Sequence, residues 1–487
     1  MGSISRIVLA LSVLVVSPAA AANEISVKPG DDVAEIVEQA PSGATFRFAP
    51  GVYRMQHARP KNGQKFIGQE VSGQAEVIFN GATVLTDWRK SGALWIARGP
   101  EKRLEPSGKC YPTTPLCGHR EDLFVDGKVF RRVASLGEVR RGTHYDDGLN
   151  IHIADDPSGK LTEFGVLPFA FSSAAEGVVV QDIVVEKYAS AAQRGALEFA
   201  GGRNWELRNV TARLNHGVGA RIGSGTRVSG GSFSQNGQLG LGGGNGKDIV
   251  VENVQIAFNN YAGYRAGWEA GGLKIVRVDG LVIRKSCVYR NEGPGLWTDQ
   301  DNINVEIADN LVFDNIGDGI KHEISYRATI RDNVVARNGF KQANWLWGSQ
   351  ILIQNSQDVE VRNNMVELRP DYGNGISVIN QDRGEGRLGP RVARNNSIHD
   401  NTIVHFGAHG SSGMVADYAA DWFFGNSANA FDRNIYVVPH VKRGYFAFRG
   451  NRVGFPTLQN FGLEKNGRIE IATADRKPLK FDCAAVR

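Results

Sequence analysis

Asp299 and Glu323 lie 24 residues apart in segments that otherwise read alike, PGLWTDQ and DGIKHEI. Three further segments, GGLKI, SQILIQN and NGISVIN, join them when Gly272, Gly295, Gly319, Gln350 and Gly375 are given one position. The intervals are 23, 24, 31 and 25 residues, the length of a solenoid coil. One position on, Leu273, Leu296, Ile320, Ile351 and Ile376 make an aliphatic column. Strand side chains alternate between faces, so if this column points inward, positions two and four point outward. The outward columns are Lys274, Trp297, Lys321, Leu352, Ser377 and Val276, Asp299, Glu323, Gln354, Ile379.

Strands on neighbouring coils lie about 4.8 Å apart, so the carboxyl groups of Asp299 and Glu323 are expected at roughly 5 Å from each other. Retaining hydrolysis of a glycosidic bond uses two carboxyl groups about 5 to 5.5 Å apart, and inversion needs a wider gap. Like-charge repulsion raises one pKa of such a pair, which suits a general acid, and Lys321 and Lys274 offset part of the repulsion. Trp297, on the same face, offers a ring on which a sugar can stack. Trp268, Glu269, Asp301 and Gln354 complete the expected substrate-binding set. His322 falls at an inward position with Ile275, Thr298 and Ile353, and is expected to be structural.

The elements that must hold these residues are short strands and tight turns, in keeping with 59 Gly and recurrent Asn. Asn291, Asn315 and Asn338, and likewise Asn310 and Asn333, repeat at 23 or 24 residues, as stacked amide ladders would. Residues 171–445 are read as the solenoid, 23–170 as an amino-terminal cap with early coils and a β-rich elaboration, and 446–487 as final coils and a cap. A short helix is expected at 31–39. Long intervals carry FNNYAGYRAGWEAG, NGFKQANWLWGS and NQDRGEGRLGPR, loops suited to walling a cleft beside the acids.

Residues 1–22 read as a secretory signal, with Arg6, an apolar run from Ile7 to Ser17, and the small residues Ala19 to Ala22. The expected mature chain is secreted or periplasmic and has no integral membrane segment. The formal charge is +5, and without Arg6 it is +4, too mild and scattered to point to nucleic acid. Cys110 and Cys117 bracket KCYPTTPLCG without zinc-like partners and are expected to form a disulfide. Cys287 is read as a buried thiol and Cys483 as free.

The cap, LFVDGK and the Gly/Asn-punctuated coils resemble the right-handed parallel β-helix repeat proteins of the pectate-lyase-like superfamily. The resemblance implies an all-β, right-handed parallel β-helix with an amino-terminal helical cap and a small β-rich elaboration. Within it, GLWTDQDNINVEIADNLVFDNIGDGIKHEISYRATIRDN is similar to the catalytic stretch of β-helical retaining β-xylosidases. That similarity implies Asp299 as nucleophile and Glu323 as acid/base, without implying xylose. The expectation is therefore an exported carbohydrate-active enzyme, a retaining glycoside hydrolase with a poly- or oligosaccharide substrate and no cofactor. One alternative is a polysaccharide lyase on a uronate polymer, with Lys321 or Lys274 as base and Ca²⁺ held by Asp299, Asp301 and Glu323. Another is a noncatalytic glycan-binding solenoid.

Overall fold

A computed structural model of the chain describes residues 24–71, 74–101, 103–339, 345–441, 444–473 and 475–483, and the expected signal segment at 1–22 lies outside them. The strands that carry the candidate site form one continuous parallel ladder. Its members are β1 (Phe171–Ser172), β2 (Gly195–Glu198), β3 (Val218–Ile222), β4 (Leu239–Glu252), β5 (Gly271–Arg284) and β6 (Leu296–Asp299). They continue through β7 (Ile320–Glu323), β8 (Ser349–Gln354), β9 (Asn374–Asn380), β10 (Ser412–Ala416) and β11 (Phe446–Phe448). Each pairs in parallel with the next. One coil adds two further strands, Ile303–Ala308 and Leu311–Phe313, which continue parallel ladders of their own. A coil thus has three sides, each paired in parallel with the same side of the next coil.

The interior register is Leu241, Leu273, Leu296, Ile320, Ile351 and Ile376, paired in that order and all buried in one core. An amide ladder runs beside it. Asn215 Nδ2 donates to Asn236 Oδ1 at 3.0 Å, and the chain of bonds continues through Asn259, Asn291, Asn315 and Asn338 to Gln350. This explains the glycine that opens each site strand: a Cβ on Gly295 would lie 2.7 Å from Gly319 O and 2.9 Å from the Asn315 amide nitrogen. Asn310, Asn333, Asn364, Asn401 and Asn434 form a second ladder that ends on Glu464. His322 points inward with no exposed surface, between Thr298 Oγ1 at 2.8 Å and Tyr326 O at 3.2 Å.

Near the amino terminus the helix α1 (Val33–Gln39) starts at Asp32, whose side chain accepts from the Glu35 amide. It buries Val33 and Val37 against the same core. Between Ala82 and Gly165 the chain leaves the solenoid to form an eight-stranded sheet with its own core, including Leu123, Val125, Ile151, Ile153 and Phe164. Buried Glu163 ties this sheet to the coils through Lys187 at 2.5 Å and Arg54 at 2.7 Å. Such a buried ion cluster favours one docking geometry, because breaking any partner strands a charge.

Cys110 and Cys117 are joined by a disulfide. The bridged loop packs on Tyr264, Ala270 and Trp268, beside the site. Cys287 and Cys483 correct the sequence reading: they are bridged to each other across 196 residues. The carboxyl-terminal segment runs back along the solenoid flank, where Phe481 lies against Phe313 and the Leu479 amide donates to Glu367. Nothing in the local sequence around Cys483 signals that return.

Candidate active site

β6 and β7 end on the two acids. The chain turns sharply after each, with positive φ at Gln300 (55°) and Asp301 (56°) after Asp299, and at Ile324 (39°) after Glu323. Equivalent turns at equivalent places keep the strand ends aligned, and Asp299 pairs directly with Glu323 in the ladder. Both acids are only 5% exposed. Val276 and Gln354 are their neighbours on the flanking coils, as the outward register requires.

The two acids have unequal surroundings. Glu323 Oε2 accepts from Trp297 Nε1 at 3.0 Å and pairs with Lys321 Nζ at 2.7 Å, and its Oε1 pairs with Arg383 at 2.6 Å. Asp299 Oδ2 pairs with Lys274 Nζ at 3.0 Å, whereas its buried Oδ1 has no hydrogen-bond partner. Burial raises the Asp299 pKa; Lys274 opposes the shift and Glu323 adds to it. Burial also works against ionisation of Glu323, but Lys321 and Arg383 outweigh it and hold its carboxyl well below the usual carboxylate range.

Trp297 corrects an expectation. It is outward in register but 3% exposed, with Lys274 Nζ 3.8 Å and Lys321 Nζ 4.6 Å from its ring centroid. These lysines come from the preceding and following coils and lie over the ring as cation–π partners. The residue acts instead as a spacer between two cations and as a donor to Glu323.

The remaining residues fall on either side of the pair. Glu269 faces Lys274 at 3.9 Å and Arg221 at 3.8 Å and accepts from Gln193 at 2.7 Å. Trp268 packs against Tyr264, and its carbonyl accepts from Lys274 at 3.0 Å. Gln354 donates to Gln381 at 3.1 Å, and its buried Oε1 has no partner. Asp301 is bound by Arg391 at 3.1 Å. Among the described residues, no group of three or more His, Cys, Asp or Glu side chains is placed to hold a metal ion. Asp299, Asp301 and Glu323 thus do not fit the Ca²⁺ site of the lyase alternative.

Three contributors were missed in the sequence. Arg383 and Gln381 come from NQDRGEGRLGPR, a segment singled out as a cleft wall but not for any one side chain. Anchors on Asp301, Tyr326 and Asn355 fix that loop over β6 to β8. Asp318, buried one residue before Gly319, accepts from the Ser349 amide at 2.8 Å, and its pKa is raised by burial. Downstream the outward face is apolar and covered, since Leu352, Ile379 and Val415 pack under Leu346 and Trp347.

The family model described as "Right handed beta helix region" matches residues 195–366, which include both acids. Among solved structures, the chain is similar to one described as the complex structure of XylC with xylose. The identity is 14% and the TM-score 0.65, with 93% of this chain and 86% of that chain covered. A structure described as a glycoside hydrolase matches at 9% identity and TM-score 0.46, covering 81% of this chain and 96% of that chain. The AlgE6 A-module of the Azotobacter vinelandii mannuronan C-5 epimerase matches at 11% and 0.47, covering 91% of this chain and 94% of that chain. No curated protein matches the chain by sequence. The parallel ladders, the family model over residues 195–366 and the likeness at TM-score 0.65 together show a right-handed parallel β-helix fold.

Proposed function

We propose that this protein is a carbohydrate-active enzyme, a retaining glycoside hydrolase in which Asp299 and Glu323 are the reacting carboxyl groups. The observation that carries the reading is the register that pairs Asp299 with Glu323 on adjacent strands, with both acids buried. Adjacent strands bring the groups to the separation of about 5 Å at which one carboxylate can attack the anomeric carbon while the other serves the leaving oxygen. The unequal surroundings push the two pKa values apart, as an acid and a nucleophile require. The likeness to the XylC structure with xylose supports a sugar substrate.

The lyase reading is less well supported, because Lys274 and Lys321 are both engaged with carboxylates and with the Trp297 ring. A lysine base needs its lone pair free to reach C5 of a uronate. A glycan-binding solenoid would use the same cleft without turnover. The test is to incubate the purified protein with neutral and uronate polysaccharides and with aryl glycosides. New reducing ends without unsaturated products support the proposal, unsaturated uronates support the lyase, and saturable binding with neither product supports the binding solenoid.

A further inference from the structure

We propose that the cleft between the inserted sheet and the solenoid flank is a second carbohydrate site, which binds a neutral stretch of glycan without cleaving it. The class of ligand rests on the carbohydrate-active reading above, but the cleft itself does not.

Three separate parts of the chain wall this cleft. Its volume is about 720 Å³, within the roughly 300 to 1,000 Å³ of small-ligand sites. Residues 113–117 of the disulfide loop form one side and residues 127–134 of the inserted sheet another. The solenoid supplies Leu214, Gln235 and Phe258, equivalent positions on three successive coils. Each has a positive φ, at 57°, 56° and 57°, and the Leu214 amide donates to Gln235 O at 2.8 Å. They stand in the turns before β3, β4 and β5, whereas Asp299 and Glu323 close β6 and β7 at the opposite strand end. Among the described residues, the lining includes neither acid, nor Lys274, Lys321 or Arg383. The disulfide loop is shared: it lines this cleft and also packs on Tyr264, Ala270 and Trp268 beside the acids.

The surface suits a sugar. Phe258 is 40% exposed, and its ring is fixed by Tyr289, with centroids 5.4 Å apart, and by Arg290, 5.8 Å from its centroid. An exposed, immobilised ring takes the C–H face of a pyranose. Asp122 supplies an acceptor, because its Oδ2 is held by Nδ1 of buried His216 at 2.9 Å and by the Tyr261 hydroxyl at 2.7 Å. Held in this way, the carboxylate is oriented for sugar hydroxyls before they arrive. The exposed Gln235 amide both donates and accepts, as a hydroxyl does. With His counted as neutral, charge on the walls is balanced: Lys128 and Arg131 are matched in number by Asp122 and Glu138, and Arg132 pairs with Asp146 at 2.7 Å. A phosphate or uronate site calls for surplus positive charge, and a lipid site for walls without such charges. Phe258 and Tyr261 both belong to FNNYAGYRAGWEAG, the segment read from sequence as a wall of the acid cleft, yet both line this one. A site here holds a part of the glycan remote from the bond that breaks, so it raises affinity for long chains and leaves small substrates unaffected.

The experiment uses the full chain carrying Asp299→Asn and Glu323→Gln, so that nothing is cleaved, in isothermal titration calorimetry. The probes are neutral β-linked hexasaccharides of glucose, xylose and mannose, with a galacturonate hexasaccharide as the acidic control. At least one neutral probe should bind, and Phe258→Ala or Gln235→Ala in that background should weaken it about tenfold or more. Phe258→Tyr should restore most of the affinity, which separates a lost platform from a disturbed fold. In the otherwise wild-type chain, Phe258→Ala should leave kcat and KM on an aryl glycoside unchanged while raising KM on the polymer. Binding of no neutral probe, a preference for galacturonate, or affinity unchanged by both Phe258→Ala and Gln235→Ala overturns the proposal. If both variants lose binding but wild-type protein cleaves no glycoside, the cleft stands and the hydrolase reading falls; turnover with unchanged binding in both variants does the reverse.

Discussion

Trp297 donates its indole N–H to Glu323 Oε2 at 3.0 Å from the coil before it, while Lys274 and Lys321, from the coils on either side, lie over the same ring. The aromatic residue therefore links the two carboxylates, as a spacer for their counter-ions and as a hydrogen-bond donor to one of them. A hydrogen bond to a charged group is worth about 1.5 to 3 kcal/mol, so Trp297→Phe should keep the fold and lower kcat by about 10- to 100-fold. Circular dichroism with steady-state kinetics on a responsive substrate checks this. Wild-type kcat would mean that the bond contributes nothing to turnover.

Leu296 sits in the interior column one coil from Leu273 and Ile320, with no exposed surface. Leu296→Asp should yield insoluble or unfolded protein, because an unpaired charge is buried among aliphatic side chains. Leu296→Ala should remain folded but lose about 2 to 5 kcal/mol in a urea titration. Soluble, wild-type-like Leu296→Asp protein would contradict the interior register.

His144, His322 and His405 are buried, and burial lowers the pKa of each to about 4. In the unfolded chain they titrate near the ordinary value of about 6.5, so on acidification the unfolded state takes up protons first. Stability should be intact above pH 6.5 and fall progressively between about pH 6.5 and 4. Urea midpoints measured across that range check the slope. A midpoint that is flat down to pH 4 would show that these side chains do not resist protonation.

The Cys110–Cys117 loop braces Tyr264 and Trp268 next to the site, with Thr114 Oγ1 donating to Gly263 O at 2.7 Å. A loop this short loses about 2 kcal/mol when opened. Cys110→Ser with Cys117→Ser should leave the coils folded, expose residues 105–118 to limited proteolysis and weaken substrate affinity more than turnover. Unchanged protease sensitivity would show that the loop is held without the bridge.

The coils and the acid pair were legible because side-chain direction alternates with period two and three of the four intervals are 23 to 25 residues, so one position per coil, a glycine on four of the five, aligns every column. Asp299, Glu323, Lys274 and Lys321 followed from that arithmetic alone. The orientation of Trp297 did not, since register gives the face of a strand but not whether neighbouring cations fill the space above it. Arg383 and Cys483 were hidden for another reason: each arrives from a distant part of the chain through a loop or tail whose path is set by three-dimensional contacts. Asp301 lies two residues beyond Asp299 but within the turn, where it and Gln300 both have positive φ, and its carboxylate pairs with Arg391.

The central claim is that the Asp299–Glu323 pair cleaves a glycosidic bond with retention. The most direct measurement is ¹H NMR of the first-formed sugar product, before mutarotation, from the substrate found in the panel. The account predicts the anomeric configuration of the substrate in that product, and its disappearance in both Asp299→Asn and Glu323→Gln. An inverted anomer, an unsaturated uronate, or wild-type turnover in both variants would contradict it.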